Sequence, residues 1–294
     1  MTVEEWAEHR PAVFGVAYRL LGTVSDAEDV EQDVWLRAAA ADLSDVRDLR
    51  AWLVTVAARR AYDILRSARV RRETYVGPWL PAPLLTGPDA AEPVLVDDLV
   101  NTAMLLVMEE LRPQERVALV LHDVFEVPYA RIAEVLGTTI AASRQLASRA
   151  RRRVTAVKER PRAGRAEHER VVKAFRSAYL GGDLKGLVEL LHPDAVYLTD
   201  GGGQVSAARK PIIGGERIAA VLVRLRRRNP LAVAAILEVG GEPAVLIRRA
   251  GLLVVDTFDI AGDGQIRTIH RMLNPDKLAH IDGAVTPTAA VSSP

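Results

Sequence analysis

The sequence predicts a multidomain chain: two all-α domains, the second a helix-turn-helix, followed by an α+β domain with a curved antiparallel sheet. Three observations carry this prediction. Apolar residues recur at helical spacing through most of the first 160 positions, with a proline-punctuated gap between two such blocks. Strand-like runs separated by Gly-rich turns take over after about residue 190. Helices first and hairpin-connected strands after are the pattern of an α+β domain.

In the first block, Phe14, Ala17, Tyr18 and Leu21 lie at i, i+3, i+4 and i+7, and Gly22 ends the run. Ser25-Asp26-Ala27-Glu28 reads as a capping box opening a second helix. Ala27, Val30, Val34 and Ala38 form that helix's apolar stripe, and Asp26, Asp29, Glu31 and Asp33 its polar face. A third, longer helix points Leu53, Val56, Ala57, Ala61, Ile64 and Leu65 inward and carries Arg59, Arg60, Arg66, Arg69, Arg71 and Arg72. Over 74–96, Pro78, Pro81, Pro83, Pro88 and Pro93 with Gly77 and Gly87 disfavour regular structure, so this is a linker. It also holds Trp79, Leu80, Leu84 and Leu85, which a merely solvated linker does not need, so it is expected to dock.

Residues 97–160 return to helical grammar. Leu99, Ala103 and Val107 mark one helix, and Val117, Val120, Leu121 and Val124 the next. Then comes the most informative stretch. Pro128 suits the first turn of a helix whose short apolar face is Ile132, Ala133 and Leu136. Gly137 stops it, and Thr138 or Thr139 caps a second helix. There Ile140, Ala147 and Ala150 share one face, while Arg144, Gln145, Ser148, Arg149, Arg151 and Arg152 fall largely elsewhere. A support helix, a tight turn and a basic, amide-bearing second helix are what major-groove reading requires. Between Gly137 and Arg165 there are nine basic residues and one acid, Glu159, although the whole chain is only +1. Charge so concentrated favours a polyanion, against the plainer reading of a solvated basic face.

In the third part, Val171, Val172, Phe175, Ala178 and Tyr179 make a helix stopped by Gly181-Gly182, and a short helix covers 184–191. A strand over 195–199 leads to the turn Asp200-Gly201-Gly202-Gly203. One more helix is marked by Ile218, Ala219, Leu222 and Leu225. Strands follow over 231–239, 244–249 and 252–260, and the hairpin signal Gly262-Asp263-Gly264 leads to a last strand over 265–273. The glycine turn lacks the Lys-Ser/Thr and helix of a phosphate loop, so its first reading is a turn needing positive φ. Asn274-Pro275-Asp276 reads as a helix start.

Composition narrows function. With no cysteine, disulfides, thiolate zinc sites and thiol catalysis are excluded. No apolar run approaches the length of a membrane span, and the N-terminus has no secretory core, so a cytoplasmic chain without membrane contact is expected. No His/Asp/Glu cluster has metal-ligand spacing, and no cofactor is implied. His192, Asp194, Asp200, Asp256 and His270 are available to a pocket in the third domain but establish no dyad, so no catalytic residue is assigned and the chain is read as a non-enzyme.

The blocks AYRLLGTVSDAEDVEQDVWLRA, RDLRAWLVTVAARRAYDILRSARVRRE and LRPQERVALVLHDVFEVPYARIAEVLGTTIAASRQLASRARRR resemble regions two and four of extracytoplasmic-function sigma factors, in order and suitably spaced. The remainder resembles a SnoaL-like cone, which one subgroup of these factors carries together with a WLPEP-type linker, a DGGGK-type turn and NPDKL. This chain has Trp79-Leu80-Pro81-Ala82-Pro83, Asp200-Gly201-Gly202-Gly203-Gln204 and Asn274-Pro275-Asp276-Lys277-Leu278. Ala82 thus stands for a carboxylate and Gln204 for a lysine.

The resemblance implies region two at 1–73, a linker at 74–96, region four at 97–160, a SnoaL-like regulatory domain at 165–284 and a disordered tail at 285–294. It implies a factor that binds core RNA polymerase, at the clamp helices of the largest subunit and at the flap, and directs it to promoter DNA. Glu28, Asp29, Gln32 and Asp33 would contact polymerase. Trp52, Arg59, Arg60, Arg66 and Arg69 would contact the minus-ten element. Arg144, Gln145, Ser148, Arg149, Arg151 and Arg152 would contact the minus-thirty-five element, the first four reading bases. Trp79, Leu80, Pro81, Asp200 to Gly203 and Asn274 to Leu278 would form a regulatory interdomain contact, and the cone leaves room for a small-molecule ligand. The alternative is a helix-turn-helix regulator with a ligand-sensing C-terminal domain. Such a regulator would not need the acidic helix or the second basic block at 59–72.

Overall fold

A computed structural model describes residues 1–73, 75–87, 100–159, 161–229, 232–249 and 251–284, with side chains omitted at 68–73, 158 and 283–284. The expected linker beyond 87, residues 97–99 and the tail at 285–294 lie outside these. The chain forms two compact units. Of the described residues, the first holds 1–73, Val100 and Met104–Glu159, and the second holds 75–87, Asn101–Ala103 and everything after 160.

Seven helices build the first unit: α1 (Val3–Leu21), α2 (Val24–Ala40), α3 (Leu49–Glu73), α4 (Thr102–Glu109), α5 (Pro113–Asp123), α6 (Tyr129–Leu136) and α7 (Ile140–Lys158). Val16, Leu20, Val30, Val34, Leu53 and Ala57 close the α1–α3 core. Helix α2 starts one residue before Ser25, because Thr23 is the cap: its side chain accepts from the Asp26 backbone N–H. Ser25 is exposed on the first turn. Glu31 also leaves the expected polar face, being 9% exposed and bonded by Arg10 Nε at 2.5 Å. In α4 the buried stripe is Met104, Leu105 and Met108, with Val107 only half-buried.

Pro128 caps α6 from outside, with extended backbone, and the helix begins at Tyr129. Gly137 takes φ +61 at its end, and Thr139 caps α7 through the Ala142 N–H. The buried face of α7 is Ser143, Leu146, Ala147, Ala150 and Val154. Ile140 is 45% exposed, contrary to the face expected of it.

The second unit is α+β: α8 (Arg165–Gly181), α9 (Leu184–Leu190), β1 (Leu191–Asp200), β2 (Ile212–Ile213), α10 (Gly215–Arg228), β3 (Val233–Val239), β4 (Glu242–Arg249), β5 (Leu252–Ile260), β6 (Ile266–Met272), a 3₁₀ turn (Pro275–Lys277) and α11 (Ala279–Ala284). The sheet order is β2-β1-β6-β5-β4-β3. Its pairings are antiparallel except β1–β6, which is parallel. The sheet is therefore mixed, where the sequence suggested antiparallel. No short hairpin joins β1 to β6; four intervening strands and a helix bring them together, as parallel pairing demands. One face packs Tyr197, Val245, Ile247, Val254, Phe258 and Ile269 against Phe175 and Tyr179 of α8 and Ile218 and Leu222 of α10. In α10 the inward residue near the end is Val223; Leu225 is half-buried.

Candidate nucleic-acid interface and linker latch

Helix α7 presents its predicted reading face to solvent. Arg144, Gln145, Ser148, Arg149, Arg151 and Arg152 are all exposed, opposite the apolar face that α5 and α6 cover. Support comes from beneath: the Ser143 hydroxyl donates to the Thr139 carbonyl at 3.0 Å, and the Arg144 guanidinium sits 5.6 Å from the Tyr129 ring. Arg151 differs from its neighbours. It forks onto Asp123 at 2.8 and 2.5 Å, which raises its pKa. Arg153 donates to the Glu110 carbonyl at 3.3 Å. The basic run noted in the sequence is thus partly engaged within the chain, and Arg144, Arg149 and Arg152 are its most available cations.

The second basic block lies on α3. Arg59 and Arg66 are exposed, and Trp52 is half-buried. Arg60 is paired with Asp33 of α2 at 2.6 Å, so a residue expected to face DNA and one expected to face polymerase hold each other. Both remain more than a third exposed, and an exposed pair of this kind is worth at most about 1 kcal/mol, so either could be given up to a partner. The Arg69 side chain lies outside the described residues. On α2, Glu28, Asp29 and Gln32 are exposed.

Within this unit, α3 lies against α6. Arg59 reaches the Glu134 carbonyl at 3.4 Å, and a polar cleft of about 530 Å3 opens between the two helices, lined by Tyr62, Asp63, Arg66 and Gly137. A residue that sequence reasoning passed over joins the two halves. Arg116 of α5, 3% exposed, donates from Nε to the Met108 carbonyl and from Nη1 to the Leu20 carbonyl, both at 2.8 Å, and bonds Glu109 at 2.5 Å. Its position inside an apolar helical stretch was the only available signal.

In the second unit, the three short motifs converge on one carboxylate. Asp200, fully buried, accepts on Oδ1 from the Tyr75 hydroxyl at 2.6 Å and the Gly202 N–H at 3.0 Å. On Oδ2 it accepts from the Leu80 N–H at 2.9 Å and Lys277 Nζ at 2.8 Å. Lys277, 8% exposed, also donates to the Leu80 carbonyl at 2.6 Å and lies 4.2 Å from the Trp79 ring and 5.0 Å from that of Tyr75. Asn274 caps the 3₁₀ turn and donates to the Tyr75 hydroxyl at 3.0 Å. Gln204, standing where a lysine was expected, donates to Asp276 at 2.5 Å. Leu80, Pro81, Ala82, Pro83, Leu84 and Leu85 are buried, so the segment expected to be a linker is packed as part of this unit. Burial and the neighbouring carboxylate push the Tyr75 phenol up. Tyr75 was not singled out from sequence, since nothing about its position marks it.

The interior carboxylate Asp256 faces Arg271 across the β5–β6 pair, with bonds of 2.7 and 2.6 Å and exposures of 0% and 1%. Burial opposes the charge on Arg271 but Asp256 outweighs it, and the pKa stands raised. His270, on the opposite face of β6, is held neutral by burial, which with Arg162 lowers its pKa to about 4. His192 only accepts from the Asp194 N–H at 3.0 Å. Among the described residues, no hydrogen bond between side chains and no ion pair joins His192, Asp194, Asp200, Asp256 and His270 to one another.

Residues 6–71 match the family model for Sigma-70 region 2, and residues 102–154 that for Sigma-70 region 4. The chain is 41% identical to the ECF RNA polymerase sigma factor SigJ of Mycobacterium tuberculosis, over 94% of this chain and 93% of that protein. It is 34% identical to the probable ECF RNA polymerase sigma factor SigI of the same species, over 93% of each. The crystal structure of M. tuberculosis SigJ superimposes with a TM-score of 0.76 and 37% identity, over 95% of this chain and 98% of that one. No helix among the described residues is long and apolar enough to cross a membrane.

Proposed function

The chain belongs to the extracytoplasmic-function sigma factors, and from that premise we propose how its own residues serve core polymerase binding and promoter-directed initiation. The observation that carries the reading is the pair of exposed basic faces, on α3 and on α7, borne by one chain together with the acidic face of α2. Glu28, Asp29, Gln32 and Asp33 meet the basic clamp helices of polymerase, where charge complementarity steers encounter and fixes register. Region four meets the flap. Trp52, Arg59, Arg60, Arg66 and Arg69 hold the melted minus-ten strand, neutralising phosphate and supporting an unstacked base. Arg144 and Arg149 suit guanine O6/N7, and Gln145 adenine; Ser148 reads either, and Arg151 and Arg152 grip phosphate.

Two elements about 25 bp apart are roughly 85 Å apart along B-DNA. The contact of α3 with α6, and the Arg116 bond to Leu20, therefore belong to a closed form that opens on the promoter. The Asp200–Lys277 latch, by fixing residues 75–87 to the C-terminal domain, sets the free length of chain between the two readers, and this is how that domain modulates output. No catalytic role is assigned in this reading: Asp256 is held by Arg271, and Asp200 by Tyr75, Gly202, Leu80 and Lys277. The chain acts in the cytoplasm, where polymerase is.

The deciding experiment mixes purified chain with core polymerase on a promoter library. Co-elution and promoter-dependent transcripts are expected; neither appearing would overturn the reading. The modulation claim predicts that Asp200→Asn changes transcript yield while co-elution persists, and unchanged yield would remove it.

A further inference from the structure

Helix α10 carries charge that the fold does not use. Residues 161–284 contain 18 basic and 14 acidic side chains, and α10 alone holds five arginines against Glu216. One helix therefore carries the whole positive excess of the domain. Many cations elsewhere in the domain are matched: Arg165 with Glu238, Arg170 with Glu167, Lys173 with Glu169, Arg248 with Asp282, Arg267 with Asp263. Among the described residues, Arg209 and Lys210 on the irregular segment before β2 are also exposed and unmatched, but only α10 aligns several such cations on one face. On α10, Arg217, Arg224, Arg227 and Arg228 are exposed, and among the described residues they form no ion pair or hydrogen bond.

Helix stability accounts for only part of this. Arg226 closes the C-terminus, donating to the Leu180 and Asn229 carbonyls at 3.0 Å each. Arg227 and Arg228 also lie at the negative end of the helix dipole. Arg217 lies in the first turn, at the positive end, where a cation is unfavourable, and the dipole's influence fades before Arg224. At about 100° per residue, positions 217, 224 and 228 fall within about 40° of one another, opposite the buried Ile218, Ala219, Leu222 and Val223. They form a stripe about 16 Å long, matching roughly five base pairs of duplex. The residues between them on that face, Ala220 and Val221, offer no ring for stacking a single-stranded base and no amide for reading a base edge.

We propose that this stripe grips the phosphate backbone of double-stranded promoter DNA, adding a sequence-independent third contact to the two that the sigma regions make. The proposal rests on the sigma reading for its DNA. The test compares wild type, an R217Q/R224Q/R228Q variant and an R170Q/K173Q/R267Q control of equal charge loss, each full-length. DNA affinity is measured across salt concentrations, both for the assembled holoenzyme on promoter fragments and for the free chain on plain duplex. Each lost phosphate contact lowers the slope of log K against log salt by about 0.9, so the stripe variant should lose about 2 to 3 and the control less than 1. The loss should be equal on all promoter sequences, with a patch of hydroxyl-radical protection gone and the thermal transition unmoved. An unchanged slope overturns the proposal. So does weakened assembly with core polymerase at an unchanged DNA slope, which would make the stripe a protein contact. If wild-type holoenzyme gives no promoter-dependent transcripts, the sigma reading fails, while the slope on plain duplex still decides the stripe.

Discussion

Asp200 and Lys277 show what one buried pair can hold. Each charge is out of water, and each is satisfied only because the other, the Leu80 backbone and Tyr75 complete its bonds. Removing one partner from such a pair costs about 3–5 kcal/mol, because the remaining charge is stranded. Lys277→Met should therefore release residues 75–87 to protease far faster than wild type, and pairing it with Asp200→Asn should recover part of the loss. On α7 the proposed roles divide the residues. Arg144→Ala or Arg149→Ala should shift base preference in the upstream element, with about 1–3 kcal/mol lost at one base pair, read by selection from a randomised promoter pool. Arg152→Ala should weaken all sequences alike. Equal, sequence-blind losses for all three would make Arg144 and Arg149 phosphate contacts only.

Among the elements, the glycine turn after β1 and the bridge from α5 make the sharpest demands. Gly202 has φ +61, and a Cβ there would collide with the Asn274 amide. Gly202→Ala should thus separate the turn from the 3₁₀ segment and destabilise the C-terminal unit by more than 1 kcal/mol, measured by urea unfolding. Arg116 binds α5 to the end of α1. Arg116→Met leaves the Leu20 and Met108 carbonyls without their donor, so crosslinking between α3 and α6 should fall as the closed form loosens. Most elements were legible in advance because apolar spacing at 3.6 or 2 residues is a local property. Their ends were less so. Thr23 and Ser25 are both plausible caps, and only the chain's approach to α2 chooses Thr23. Ile140 fits the apolar pattern of α7 but is its first residue and is left exposed.

For the whole molecule, acid is the informative variable. His168 and His270 are held neutral by burial, helped by the positive charge of Arg162, and both titrate at about 4 rather than near 6.5. Above pH 6.5 neither the folded nor the unfolded chain is protonated there, and the stability is fully present. Between pH 6.5 and 4 the unfolded chain takes up protons that the folded chain refuses, so stability falls, by up to about 3 kcal/mol per histidine, and levels below 4. Urea unfolding at pH 7.5 and 4.5 should show this, and His168→Asn with His270→Asn should flatten it.

The sequence by itself determined the helical regions, the α+β domain and the basic face of α7, because periodicity, caps and turn residues act over a few positions; the three motifs that meet at Asp200 were marked by the family resemblance. Only the tertiary structure decided which charges are available. It pairs Arg60 with Asp33, Arg151 with Asp123 and Asp256 with Arg271, and it leaves Arg217, Arg224, Arg227 and Arg228 of α10 open. The parallel pairing of β1 with β6 and the bridge of Arg116 to Leu20 have the same origin. Each depends on two segments far apart in the chain reaching hydrogen-bond distance, and Coulomb attraction at that range is invisible to any local pattern.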